Sequence, residues 1–561
     1  MSDPVIELDV GKIRGKSQVV DGVGIESYLK VPFAEPPVGG LRLEKPVPKS
    51  PWSETLDCLE FPKSAIPLVA PILFPFSEDC LYLNIFRPAE ASAEPCPILF
   101  MVHGGGFEFG TGMRYGNLEE NAKKFISTGI IMVAIQYRLA VLGFASDASD
   151  PSLNGNLGLF DQAEALNFVH RNANALNGDP NKITVYGCSA GGVSTSYLML
   201  SPLTCDKIFA GISLSGSGLT AWANCELVKE KTAELAKELG MKEGETAKSV
   251  LKRAKVEDII KATRRIGETY DNQNFTIFGP HLDGEFFPKD LPELIAEAPK
   301  KPYIMGCTHL ESLLWTLLSI SDISNTMAIP PQKQPNFGRS DLVALVDKLV
   351  KPDMVKQTSE AREEFVNFYD NQSDKKDNIY YMYQYTQLYA DLQFNIPILL
   401  EIWLKNLAGW DVFAYQNDYI NEKVFPDKCP IKVSYHGLDQ RYLIQGHGFS
   451  QPEFFDDNDR KVEKFLVDSV VNFIKTGNPS TPTFDWPKTT VESPFQHIRI
   501  TENPTLQHDF FANNLKFYGD LMTKYEYDFP RMIRMSTEEM EKQYHVKKLI
   551  QALKSVKKGK L

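Results

Sequence analysis

Three stretches of this chain carry residues able to attack and stabilise a carbonyl. The first runs Ile183-Thr-Val-Tyr-Gly-Cys-Ser189-Ala-Gly-Gly192. Ile183, Val185 and Tyr186 favour an extended strand, and Val193 to Leu200 can continue as a helix. Strand, tight turn, serine and helix is the setting in which Gly187-x-Ser189-x-Gly191 presents a hydroxyl at the end of a sheet. Such a turn is strained and leaves no room for side chains against the neighbouring strand or helix, hence the glycines. The helix that follows aims its free N–H groups at charge developing beside Ser189.

The second stretch is His103-Gly-Gly-Gly-Phe107, after the apolar run Pro97 to Val102. Three adjacent glycines cost backbone entropy, so a fold keeps them where a backbone must approach something closely. Their N–H groups, with that of Ala190, can form a three-donor oxyanion hole. Losing one such donor typically costs about 10²–10³ in rate. A phosphate-cradling loop is excluded by pattern: no Lys-Ser/Thr follows and GxGxxG is absent.

The third requirement is a base with an orienting acid. His436 lies in Val433-Ser-Tyr-His-Gly-Leu-Asp439, a strand end running into a glycine turn, and His309 lies beside Glu311 after the strand Tyr303 to Gly306. On chemistry alone either histidine could serve. Hydrolases with this elbow follow the order serine, acid, histidine. Ser189, Glu311 and His436 fit that order, and His309 is too close to Glu311 for both to act readily from one loop. His103 is assigned to holding the glycine loop.

These residues need a sheet to position them. Pro97–Val102, Gly129–Gln136, Lys182–Tyr186, Ala210–Leu214 and Lys301–Cys307 read as buried strands, with helical patterns between them, clearest at Gly158–Asn172. That alternation predicts an α/β protein with a mostly parallel sheet covered on both faces. Ser77–Phe86, Asp411–Asn417 and Gln496–Ile500 add strands, and Val5–Gln18 reads as a small hairpin. Leu227–Ile266, Ser340–Leu407 and Asp457–Lys475 read as helical, with the aromatic run Tyr380–Tyr385 expected in the core. Pro62–Phe76, with its prolines and apolar residues, reads as a loop that packs or lines a pocket. The segment from about Ser536 is expected to be a basic, solvated surface helix.

The 561-residue chain is 43% hydrophobic and 24% charged, a globular composition, and its net charge of -12 disfavours nucleic acid as a partner. The N-terminus lacks the basic and apolar regions of a signal peptide, and no apolar run is long enough to span a bilayer. Eight cysteines are scattered without a CxxC pair, so reduced thiols and a cytoplasmic location are expected.

Phe33-Ala-Glu-Pro-Pro-Val-Gly, Ser77-Glu-Asp-Cys-Leu-Tyr-Leu-Asn, His103-Gly-Gly-Gly-Phe, Asn156-Leu-Gly-Leu-Phe-Asp-Gln, Gly178-Asp-Pro-Asn-Lys-Ile-Thr, Gly187-Cys-Ser-Ala-Gly-Gly, Gly477-Asn-Pro and Asp485-Trp-Pro together resemble the type-B carboxylesterase/cholinesterase family of α/β-hydrolases. The resemblance covers nearly the whole chain. It implies one domain over 1–561 with the α/β-hydrolase fold: a large, mostly parallel sheet, helices on both faces and helical insertions. It also implies a serine esterase acting through an acyl-enzyme on a small-molecule or lipid ester, without a metal or organic cofactor. Ser189 is then the nucleophile, Glu311 the acid, His436 the base, and Gly105, Gly106 and Ala190 the oxyanion donors.

Departures from the family pattern narrow the expectation. Cys188 replaces the usual glutamate before the serine, removing a carboxylate from the pocket floor, and Pro62–Phe76 has no tryptophan for a choline. Both argue against acetylcholine. Cys80 matches a family disulfide cysteine, but its partner near Ala65 is missing, and Met241 stands where a second bridge often begins. Two other readings stand beside the general esterase: a specialised lipid or hormone-ester hydrolase, and an inactive adhesion or scaffold relative. Such inactive relatives usually lose a triad residue, whereas this chain keeps all three.

Overall fold

Runs such as Ile131–Ile135 and Cys96–Val102 have no polar side, and a strand apolar on both faces is stable only inside a covered sheet. They form the middle of an eleven-stranded sheet. The computed structural model describes residues 3–67, 75–90, 92–115, 121, 123–266, 276–318, 326–444 and 455–555. The strands of the sheet are β1 (Lys16–Val20), β2 (Val23–Pro32), β3 (Tyr82–Pro88), β4 (Cys96–Val102), β5 (Ile131–Ile135), β6 (Gly178–Cys188), β7 (Ala210–Leu214), β8 (Pro302–Thr308), β9 (Asp411–Asn417), β10 (His497–Ile500) and β11 (Thr505–Gln507). They lie in the order β11-β10-β9-β8-β7-β6-β4-β5-β3-β2-β1. The joints β1–β2, β2–β3, β3–β5 and β10–β11 are antiparallel and the others parallel.

Successive strand residues face opposite ways, and this splits the core in two. Ile98, Phe100 and Val102 of β4 join one apolar cluster, while Leu99 and Met101 join the other. The first cluster takes in α1 (Leu157–Asn172), α2 (Ala190–Leu200), α3 (Asn378–Ala390) and α4 (Ile396–Ala408). The second is closed by α5 (Asp457–Thr476), through Val462, Leu466, Val470 and Phe473. α5 begins where Asp456 accepts from the N–H groups of Asn458 and Asp459 (2.9 and 3.1 Å), and it ends at Gly477 with φ 80°.

Two sequence motifs prove to be structural clamps. Asp161 of the Asn156–Gln162 motif takes a bidentate contact from Arg138 (2.8 and 2.7 Å), with both side chains buried. Glu78 pairs in the same way with Arg42, whose guanidinium also donates to the carbonyls of Leu251 and Ala254.

The structure adjusts several expectations. The N-terminal hairpin ends at Arg14, and Lys16–Val20 already belongs to the main sheet. The strand before the elbow is longer than Lys182–Tyr186, spanning Gly178–Cys188. Ser340–Leu407 is broken into separate helices, with a π-helical turn at Asp391–Asn395. Within the tyrosine run, Tyr381 and Met382 are buried as expected, but Tyr383 reaches His309. The segment after Ser536 is corrected most. It forms two short helices, Thr537–Tyr544 and Val546–Ser555, that bury Met540, Tyr544, Val546, Leu549 and Leu553. Tyr544 also accepts from the Trp403 indole (2.8 Å), so this segment is packed onto α4 rather than solvated all round. Positions 68–74 of the apolar loop and 556–561 of the tail lie outside the described residues.

Candidate active site

β6 stops at Cys188 and α2 starts at Ala190, so Ser189 alone makes the turn, at φ 61° and ψ -127°. That region is strained for a residue with a side chain, by about 1–3 kcal/mol, and the surroundings must hold it there. They do so by contact. A Cβ on Gly187 would lie 2.1 Å from the carbonyl oxygen of Gly191, and one on Gly191 would lie 2.2 Å from that of Val102. Ser189 N–H donates to the Leu214 carbonyl at the end of β7 (2.8 Å), and the Ser189 hydroxyl-bearing residue is half-buried.

The glycine loop closes on the same turn. A Cβ on Gly104 would sit 3.2 Å from Cβ of Ser189. Gly105 (φ 119°) and Gly106 (φ 61°) adopt conformations that side chains resist. Among the described residues, none accepts a hydrogen bond from the N–H groups of Gly105, Gly106 or Ala190. The loop is pinned from behind: Glu108 and Phe109 N–H both donate to the Gly105 carbonyl (3.0 Å each). His103 is fully buried beneath it, stacked on Tyr137 at 4.4 Å, and its carbonyl accepts from the Tyr137 hydroxyl.

β8 delivers the acid. Glu311 lies just beyond Thr308, fully buried, and its Oε1 accepts from Thr308 N–H and from the Ser215 hydroxyl (2.6 Å each). Its Oε2 lies 2.5 Å from Nδ1 of His436. The two residues are 125 positions apart, and the His436 N–H also donates to the Glu311 carbonyl (3.3 Å). With Nδ1 held by the acid, Nε2 is the nitrogen left to exchange a proton. The imidazole packs between Trp315 and Phe394, at 4.9 and 4.8 Å. Phe394 stands on the π-helical turn, which is fixed because Trp222 and Thr220 both donate to the Gln393 carbonyl. Trp222 carries this aromatic wall on to Phe107 in the glycine loop.

Two tethers bring the parts together. The turn after His436 lies near the residue before the nucleophile: a Cβ on Gly437 would be 4.0 Å from Sγ of Cys188. The loop after β7 touches both sides: Ser215 holds Glu311, and a Cβ on Gly216 would meet the Ser189 carbonyl at 2.5 Å. His309 is not in this group. Its Nδ1 is bonded to Asp418 and its Nε2 to the Tyr383 hydroxyl (2.9 Å each), and it lines a separate cavity of about 540 Å³ with Gln384 and His497. Among the described residues, no cluster of three or more His, Cys, Asp or Glu side chains is arranged to hold a metal ion.

A sequence profile of the carboxylesterase family matches residues 2–518. Gut esterase 1 of Caenorhabditis elegans is 32% identical over 537 residues, covering 94% of each chain. Esterase cest-33 of the same organism is 30% identical, covering 88% of this chain and 90% of its own. Carboxylesterase 1E of Rattus norvegicus is 30% identical, covering 85% and 86%. This chain belongs to the carboxylesterase family.

As an α/β-hydrolase of that family it acts on esters, and several of its particulars depart from the family pattern. Cys80 and Ala65 line the same small cavity, and no disulfide joins any of the eight cysteines. Cys188 is 4% exposed and turned into the second apolar cluster with Tyr186, Leu214 and Tyr415, so its thiol packs under the elbow instead of forming a pocket floor. Among the described residues, no helix is long and apolar enough to cross a membrane.

Sequence reasoning missed Ser215, Trp315 and Phe394, which surround the acid and the imidazole. The Ser215-Gly-Ser-Gly218 turn at the end of a strand beside the elbow was the available signal for the first. It also missed Glu108. That carboxyl is 1% exposed, accepts from the Ile277 backbone, and leaves Oε1 without a partner. Burial pushes it up to about 8, so it is protonated at neutral pH beside the glycine loop.

Proposed function

We propose that this carboxylesterase-family member is a serine hydrolase working through an acyl-enzyme. Nε2 of His436 takes the proton of Ser189 as its oxygen attacks the ester carbonyl, and the N–H groups of Gly105, Gly106 and Ala190 hold the oxyanion. The imidazolium then protonates the departing alcohol. A water, activated by the same nitrogen, attacks the acyl-enzyme and frees the acid. Glu311 keeps the imidazole in one tautomer and supports its charged form. The observation that carries this reading is the 2.5 Å contact of Glu311 with Nδ1 of His436, whose following turn packs against the residue before the strained serine.

Cys188 in place of a carboxylate before the serine, and a Pro62–Phe76 segment without tryptophan, support an uncharged ester over a cationic one. Small-molecule and lipid esters both meet that description. Eight cysteines without a disulfide among them support a reducing, cytoplasmic setting.

Ser189→Ala is expected to abolish hydrolysis of p-nitrophenyl esters. Retained turnover would refute the assignment. An acyl-chain panel that includes choline esters tests the substrate class, and a preference for choline esters would contradict the uncharged reading.

A further inference from the structure

The loop Ser215–Gly218 contacts two members of the candidate triad, and its own anchor is a buried carboxylate from another layer. Ser217 Oγ donates to Oε2 of Glu401 (2.7 Å), and Gly218 N–H donates to the same oxygen (3.0 Å). Oε1 of Glu401 accepts from Ser196 Oγ (2.5 Å), two turns along α2 from the nucleophile. Glu401 lies in α4 and is fully buried. One carboxylate therefore ties the nucleophile helix and the acid-holding loop to α4.

Its charge is balanced one helical turn away. Lys405 Nζ lies 2.8 Å from Oε1 of Glu401, is itself fully buried, and sits 3.3 Å from the centre of the Tyr303 ring. Tyr303 belongs to β8, the strand that leads to Glu311. Burial alone would raise the Glu401 carboxyl, but Lys405 and the hydroxyl donors outweigh it and hold the group below the ordinary range. Replacing a buried ion pair of this kind by apolar side chains is often neutral or stabilising. Stability is therefore a weak reason for this chain to keep it, and the donors it gathers point to another.

We propose that Glu401 is a positioning residue for catalysis, clamping α2 to the Ser215–Gly218 loop so that Ser215 aims Glu311 at His436. The proposal rests on the triad assignment above. It predicts that stability and turnover separate when the pair is replaced. Glu401→Leu with Lys405→Met buries no charge, which offsets the loss of an acceptor for Ser196, Ser217 and Gly218, and should fold cooperatively with a melting temperature near or modestly below that of the parent. Its kcat should fall about tenfold or more with KM within about twofold, because the substrate pocket is untouched and only the acid's aim is lost. Glu401→Gln with Lys405→Met keeps an oxygen acceptor for Ser217 and Gly218, and should recover kcat to within about threefold of the parent. Ser217→Ala, a milder change, should lower kcat about threefold.

The experiment measures kcat and KM on a p-nitrophenyl ester, per active site counted with an organophosphonate, alongside thermal unfolding. The proposal is supported if the leucine–methionine variant is folded but slow and the glutamine–methionine variant is rescued. It is overturned if kcat per labelled site stays within about twofold of the parent in both the leucine–methionine and Ser217→Ala proteins. Label on Ser189 with unchanged kcat overturns this proposal alone, whereas parental turnover without label on Ser189 overturns the triad assignment and this proposal with it.

Discussion

The two halves of the candidate site are built differently. The elbow and the glycine loop are made of backbone: Ser189 at φ 61°, Gly105 and Gly106 with positive φ, and N–H groups that none of the described residues accepts from. Each comes from a few contiguous residues. The acid–base half is made of side chains, with Glu311, His436, Ser215, Trp315 and Phe394 arriving from separate elements. At Gly104, Gly105, Gly187 and Gly191 the first half tolerates no added atom, because main-chain oxygens lie 2.1–2.4 Å from where a Cβ would stand; Gly106 faces open space and is constrained by its φ of 61° alone. The second depends on hydrogen bonds that can be weakened by degrees. Backbone sites should therefore fail abruptly on minimal substitution, and side-chain sites in steps.

The largest effect beyond the serine is expected at the acid. Glu311→Gln should lower kcat by about 10³–10⁴ with the fold retained, since the imidazole loses its tautomer control and its support as a cation. Steady-state kinetics and far-ultraviolet circular dichroism check this, and a loss under tenfold would leave Glu311 without the role given to it. Next comes the backbone half. Gly105→Ala should cost about 10²–10³ in kcat, because its Cβ would stand 2.1 Å from the Phe109 carbonyl oxygen at φ 119°. A milder loss there than at Ser215 would erase the contrast. Ser215→Ala removes one of the hydroxyl and N–H donors to Glu311 and should cost about tenfold, in line with a hydrogen bond to a charged group.

The effect at Glu108 falls outside the ranking in rate and is read in stability. Its carboxyl is raised to about 8 in the folded state, so the fold favours the protonated form. That contribution is fully present below the ordinary carboxyl range and is lost as pH rises through about 8. Thermal unfolding across pH should show Glu108→Gln gaining on the parent from about pH 5 to 8, by at most about 1.4 kcal/mol per pH unit, with a constant difference below that window. Parallel curves throughout would show that Glu108 is not protonated in the fold.

The same division explains what the sequence made legible. Backbone demands are written locally. Gly187, Gly191, Gly104 and Gly105 mark close approach, and β-branched runs such as Ile131–Ile135 mark covered strands. The strands Ala210–Leu214 and Asp411–Asn417 match their expected limits for that reason. Side-chain partnerships leave no such mark. Nothing beside Phe394 says that it will lie against His436, and nothing beside Glu401 says that it will hold Ser217. The choice between His309 and His436 needed chain order, because both have a carboxylate in reach and only the fold separates Asp418 from Glu311. The tail was misread because an amphipathic pattern looks the same on a solvated helix as on one packed against α4 through Tyr544 and Trp403.

One measurement bears most directly on the central claim. The protein is treated with a fluorophosphonate until esterase activity is gone, and the adduct is located by peptide mass spectrometry. A single adduct on Ser189, absent from Ser189→Ala and slow to form in the His436→Ala protein, is the predicted result. Loss of activity with the adduct on another residue, or undiminished ester turnover in a fully labelled protein, would contradict it.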